Sequence, residues 1–216
     1  MELRSTAKFV CVLDFEATCV QDPGGLPPQE IIEFPSVLLS FKQGGSAHAL
    51  RITSEFQRYV RPKFHPQLSE FCTELTGITQ HKVDTQGVSF QQALSDHREW
   101  LTREMGEPPT AENVIFVTCG DWDFKKMLPL QCELEMIPVP SYFRHWTNLK
   151  KLAPTCRGSL YKNPYDMQSL LKWFNLSFVG RPHSGIADCR NLARACKVFV
   201  SRGGMFLMTS HPDWRA

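Results

Sequence analysis

Six residues of this chain carry side chains that could act together on a phosphate ester. Asp14 and Glu16 stand two apart, just after the apolar run Phe9-Val-Cys-Val-Leu13. Asp121 and Asp123 flank Trp122 after a second apolar run, Val114-Ile-Phe-Val-Thr118, and Asp188 lies near the start of a helical pattern. In extended backbone, residues two apart leave the same face with Cα atoms about 6.5 to 7 Å apart, so the carboxylates of a D-x-E repel unless a cation lies between them. An isolated D-x-E is usually a solvated strand end; it is the return of acids at the ends of other buried elements that points to chemistry. Carboxylates without Cys or His pairs are hard oxygen donors, which fit Mg²⁺ or Mn²⁺ better than zinc. Two such ions about 3.5 to 4 Å apart can activate a water and stabilise the leaving oxygen in phosphodiester hydrolysis. His183, five residues before Asp188 in Val179-Gly-Arg-Pro-His-Ser-Gly185, supplies an imidazole on a loop marked by Gly and Pro. Divalent cations favour a neutral neighbouring imidazole, the form that takes a proton from water. At this level Asp121 and Asp123 compete for one role, because Asp121 also suits the N-cap of a helix running to Leu128.

These residues need elements to hold them. Lys8 to Asp14, apolar on both faces, reads as a central strand. Ile31 to Phe41 and Ala49 to Val60 read as two more strands, the second with a wetter face, and Asn113 to Thr118 as a fourth that is buried. Asp22-Pro-Gly-Gly25 and Gln43-Gly-Gly-Ser46 supply turns, so the sheet starts antiparallel. Pro35 lacks a ladder donor and predicts an edge or a bulge. Helices are predicted over Pro66 to Thr76, from Ser89 onward with Phe90, Ala93, Leu94, His97, Trp100 and Leu101 on one stripe, over Asp121 to Leu128, over Tyr165 to Phe174 and over Gly185 to Ser201. In the last of these, Cys189, Leu192, Ala193, Cys196, Phe199 and Val200 form the buried stripe, with Gly203 and Gly204 ending it.

Composition sets the frame. The 216 residues, 42% hydrophobic and 21% charged, can bury a full core and exclude a disordered tract, a collagen-like repeat or a bare linker. No apolar run approaches the roughly 18 residues of a membrane span. The first ten residues, MELRSTAKFV, match neither a secretory signal nor an Arg-rich transit peptide. The eight cysteines include no C-x-x-C pair, so they are expected as reduced thiols of an intracellular protein, cytoplasmic or nuclear. The net charge of +2 announces no broad polyanion surface, but Lys125, Lys126, Arg144, Lys150, Lys151 and Arg181 are candidates to line a local phosphate groove.

Asp14-Phe-Glu-Ala-Thr18, Trp122-Asp123 and His183-Ser-Gly-Ile-Ala-Asp188 resemble, in order, the three motifs of the DEDDh superfamily of 3′-to-5′ exonucleases. Glu30-Ile-Ile-Glu-Phe-Pro35, His65-Pro66, Phe71-Cys-Thr-Glu-Leu-Thr-Gly-Ile78 and Cys119-Gly-Asp-Trp-Asp123 narrow the likeness. They resemble the branch of enhancer-of-RNA-interference and histone-mRNA 3′-end exonucleases, with Snipper and the prion-protein-interacting exoribonuclease. The likeness runs from about residue 8 to about residue 208, and the whole chain, 1–216, is expected as one exonuclease domain. It implies an α/β, ribonuclease-H-like exonuclease fold with a mixed five-stranded sheet flanked by helices. It further implies that Asp14, Glu16, Asp123 and Asp188 hold two Mg²⁺ ions, replaceable by Mn²⁺, and that His183 deprotonates the attacking water. The substrate would be the 3′ end of RNA, with DNA as a further substrate, and the product a nucleoside 5′-monophosphate. The branch also places Glu16, Ala17, Thr18, Leu75, Trp122 and His183 around the terminal nucleotide. In this chain Ala187 replaces an acid found in many relatives, and activity is expected to survive that change. The nucleic-acid-binding module that the histone-mRNA enzyme carries before its nuclease domain is not expected here, so recognition of a histone stem-loop is not expected to transfer. A binding module that kept the fold without catalysis, or acids serving only as caps and surface charge, remain the competing readings.

Overall fold

A computed structural model describes residues 7–22, 24–41, 49–156 and 163–210. Strand β1 (Phe9–Leu13) is the centre of the sheet, antiparallel to β3 (Ile31–Phe41) on one side and parallel to β5 (Val114–Thr118) on the other. Strand β4 (Leu50–Tyr59) pairs antiparallel with the outer flank of β3, and the short β6 (Trp146–Asn148) runs parallel to β5. The sixth strand, β2 (Glu16–Ala17), is only two residues long and pairs with β3 beyond the end of β1. The sheet therefore has six strands where five were expected. The addition arises because the chain leaves β1 at Leu13, crosses at Asp14 and Phe15, and rejoins the same neighbour.

Alternation along β1 sends Val10 and Val12 into one core and Cys11 and Leu13 into the other. The first core is closed by α6 (Met167–Trp173) and α7 (Gly185–Ser201), with Leu170, Leu192, Cys196 and Phe199 against Val37 and Val117. The second is closed by α3 (Phe90–Met105) and α4 (Leu128–Leu134), where Phe34, Phe116 and Phe143 gather around the buried His97 ring. A sheet covered on both faces is what the apolar β1 and β5 demand. Helix α7 spans the predicted residues, and its predicted stripe is buried throughout.

Several expectations are corrected. Pro35 lies inside β3, neither on an edge strand nor at a bulge, and pairs with Gln57 of β4. It is tolerated because β1 pairing stops at Ser36 and β2 pairing begins at Glu33, so on that flank Pro35 has no partner to deprive. Helix α1 (Glu70–Thr76) starts four residues later than Pro66, where the Ser69 hydroxyl accepts the Cys72 N–H, and it stops at Gly77 in the left-handed region, φ 74°. Helix α6 starts at Met167, behind an Asp166 and Ser169 capping box, and not at Tyr165. Helices α2 (Gln80–Gln86) and α5 (Leu149–Leu152) were not predicted. The turn at 43–46 lies outside the described residues. All eight cysteines are free, and no helix among the described residues is long and apolar enough to cross a membrane.

Candidate active site

The site forms where the central strands end. Beyond β1, alternation turns Phe15 toward the aromatic core, 4.9 Å from the Phe34 ring, and leaves Asp14 and Glu16 on the opposite side. Helix α7 brings Asp188 to the same place. Carboxylate oxygens of Asp14, Glu16 and Asp188 all lie within 4.8 Å of one another. The fourth acid, Asp123, arrives from β5 and is 5% exposed. Its Oδ1 accepts the Phe15 N–H at 2.9 Å, a bond to the residue between Asp14 and Glu16. Asp123 opens a π-helical turn, Asp123–Met127, in which the Leu128 N–H reaches back to the Asp123 carbonyl. Such widened turns recur at functional sites because they re-aim a side chain.

Burial raises every one of these acids, and the charges of neighbouring acids add to it at Asp14, Glu16 and Asp188. Burial, then the charges of Asp123, Asp188, Glu16 and Glu33, holds the Asp14 carboxyl well above the usual range. Glu16 is pushed up to about 9 by burial and by Asp188, Glu33 and Asp123. Asp188 rises to about 7 through burial, opposed by a hydrogen bond from the His183 backbone, and Asp123 to about 6 through burial, opposed by the Phe15 N–H. An all-carboxylate cluster that resists ionisation on its own fits a divalent cation, whose charge would reverse each shift.

A residue to which the sequence assigned no role, although it lies within the Glu30–Pro35 likeness, completes the frame. Glu33, inside β3 and 1% exposed, accepts the Gly185 N–H at 3.1 Å and the Ile186 N–H at 3.3 Å, while Gln57 donates to it at 2.7 Å. It caps α7, whose own N-cap Ser184 makes no side-chain capping bond. An acid within the otherwise apolar Ile31-Ile-Glu-Phe34 was the signal, since a buried charge must have partners. Glu30 acts alike, accepting the N–H groups of Lys63, Phe64 and His65 and so fixing the approach to α1.

The other predicted residues divide. His183 is exposed with φ 60°, and its imidazole makes no hydrogen bond among the described residues. Trp122 is 38% exposed and Leu75 is half-buried, whereas Ala17 and Thr18 are buried and the Thr18 hydroxyl accepts the Glu30 N–H at 2.9 Å. Asp121 is not an N-cap. Its carboxylate accepts the Trp146 indole N–H at 3.1 Å and pairs with Lys151 at 2.8 Å. Although burial alone would raise it, the bonds from Lys151 and Trp146 hold Asp121 below its usual range. Of the candidate groove cations, Lys150 donates to the Tyr165 carbonyl, Lys151 serves Asp121, and Arg181 reaches the Glu74 carbonyl. Lys125, Lys126 and Arg144 are exposed, with no side-chain hydrogen bond or ion pair among the described residues.

Residues 11–196 match the model of the exonuclease family that includes RNase T. The solved nuclease domain of 3′hExo, a DEDDh family member, bound to rAMP, superposes with a TM-score of 0.81 at 34% identity, covering 95% of this chain and 98% of that one. This chain belongs to the DEDDh exonuclease family. Among curated relatives, ERI1 exoribonuclease 3 of Homo sapiens is 47% identical over 204 residues, 94% of this chain and 57% of that protein. The 3′-5′ exoribonuclease 1 of Homo sapiens is 39% identical over 193 residues, 86% of this chain and 50% of that protein. The chain thus spans about half the length of the curated exoribonucleases that it matches.

Proposed function

We propose that this protein is a divalent-metal-dependent 3′-to-5′ exonuclease that acts on RNA and releases nucleoside 5′-monophosphates. The observation that carries the reading is the convergence of Asp14, Glu16 and Asp188 oxygens within 4.8 Å, with the buried Asp123 tied to the backbone between the first two. Asp14, Glu16, Asp123 and Asp188 would hold two Mg²⁺ ions, with Mn²⁺ as a substitute. When bound, such ions acidify a water and neutralise charge on the leaving oxygen. His183 takes the proton of the attacking water, from an exposed position five residues before Asp188. Trp122 and Leu75 offer open surface to the terminal base and sugar. Ala17 and Thr18, being buried, shape the wall behind it.

RNA is preferred as substrate because the curated relatives are named exoribonucleases, and a solved 3′-exonuclease structure, at 32% identity and 86% coverage of that chain, concerns 3′-end recognition of a histone mRNA stem-loop. The family match over 11–196 supports residues 8–208 as the core of one exonuclease domain. Eight free thiols suit a reducing compartment, cytoplasmic or nuclear. The test uses RNA and DNA oligonucleotides of one sequence, labelled at either end, with Mg²⁺ or EDTA. Stepwise loss from the 3′ end of RNA with metal only is the expected result. Faster loss from DNA would reassign the substrate, and no cleavage of either would favour a binding module.

A further inference from the structure

The loop that carries His183 is fixed at its two ends by its own helix. The Asn191 amide of α7 accepts the Val179 N–H at 3.0 Å and donates to the Val179 carbonyl at 2.8 Å, and at the other end the Ser184 carbonyl accepts the Asp188 N–H at 2.9 Å. Between these anchors lie Gly180, φ 94°, and the exposed Arg181, Pro182 and His183. Among the described residues, the middle of the loop makes one hydrogen bond to another element. Arg181 Nη2 donates to the Glu74 carbonyl near the C-terminus of α1.

That tether is well matched on the α1 side. The last carbonyls of a helix lack internal donors and carry the negative end of its dipole, so a cation there is favourable. Helix α1 has no basic residue in its last turn, and Glu70 and Glu74 make it acidic. Arg181 supplies the cation from 107 positions away. The guanidinium also lies close against Gly77, where a β-carbon would fall 2.6 Å from Nη1 and 3.0 Å from Cζ. Gly77 therefore serves twice: its φ of 74° ends α1, and its bare Cα leaves room for Arg181.

We propose that Arg181 is a positioning residue that latches the His183 loop to the C-terminal end of α1. The base on the loop and the nucleotide-facing Leu75 on α1 are thereby held in one frame. The inference rests on the proposed roles of His183 and Leu75, and it removes Arg181 from the phosphate-binding cations.

The test compares wild type, Arg181→Ala and Arg181→Lys in Mg²⁺-dependent cleavage of a single-stranded RNA oligonucleotide, with the salt dependence of RNA binding. Hydrogen exchange at the His183 amide is followed in the same proteins. For Arg181→Ala the latch predicts kcat lowered about 10-fold or more, KM within about twofold, an unchanged salt slope, and partial recovery of kcat by added guanidinium. Lysine, which cannot present the planar fork, recovers less than half of the loss. The His183 amide exchanges faster in Arg181→Ala. A loss confined to KM, with a shallower salt slope and full recovery by lysine, would make Arg181 a phosphate contact and overturn the proposal. Unchanged kcat in Arg181→Ala would overturn it as well. If the wild-type protein cleaves no RNA, the functional reading fails first; the latch is then judged by exchange alone, and an unchanged His183 amide sinks it.

Discussion

Asp121 and Asp123 are separated by one tryptophan and live in different electrostatic worlds. Asp121 is held ionised by Lys151 and Trp146 at the protein's margin, while Asp123 is buried among acids and pushed up to about 6 by that burial. Asp123→Asn is therefore expected to abolish metal-dependent cleavage with the fold intact. Asp121→Asn should keep activity and lose about 1 kcal/mol, a fall in melting temperature of about 2 to 4 °C. Equal, near-complete loss of activity in both folded variants would contradict this division. His183→Ala should leave Mn²⁺ binding near the wild-type value and slow cleavage by about 10² or more, measured in single turnover; wild-type turnover would remove its role as base. At this scale the acids were legible because they recur just beyond buried apolar elements, and the histidine because it stands five residues before one of them. The role of Asp121 was misread as a cap because Lys151 and Trp146, its partners, are distant in sequence and reach it only through the β5 and β6 pairing.

Among the elements, the helix that delivers Asp188 is seated with little clearance. A β-carbon on Gly185 would meet Pro35 Cγ at 2.8 Å, the Asp14 carbonyl oxygen at 2.9 Å and Glu33 Oε2 at 3.1 Å. Two of those three neighbours are backbone or ring atoms that cannot swing aside. Gly185→Ala should thus push α7 from the strand end, costing about 1 to 3 kcal/mol and weakening Mn²⁺ binding about tenfold or more. Thermal melts and a Mn²⁺ titration check both, and wild-type values in the two would refute the tight seating. Long elements such as α3 and α7 were legible from their periodicity. The two-residue β2, the three-residue β6 and the four-residue α5 were not, since so few positions carry no period and tertiary pairing alone defines them. Glu33 was missed for a related reason: its partners, the first N–H groups of α7, lie 152 and 153 positions away.

For the molecule as a whole, folding gathers acids that repel one another. Glu16, Asp123 and Asp188 bind protons more tightly folded, near 9, 6 and 7, than unfolded, near 4. The folded state then carries more protons than the unfolded state between those values, so stability falls as pH rises through that window. Metal-free protein should melt higher at pH 5 than at pH 8, and Mg²⁺ should raise the melting temperature more at pH 8 than at pH 5. The opposite order in EDTA would contradict the acidic cluster. A modest net charge of +2 is compatible with a polyanionic substrate on this account, because the ions, and not a basic surface, would set the field at the site. The most direct measurement is a time course of 5′-labelled RNA with a free 3′ end, incubated in Mg²⁺ with wild type or with Asp14→Asn. The account predicts a ladder shortening one nucleotide at a time for wild type and intact RNA for the folded variant; cleavage by Asp14→Asn at the wild-type rate, or no shortening by wild type, would contradict it.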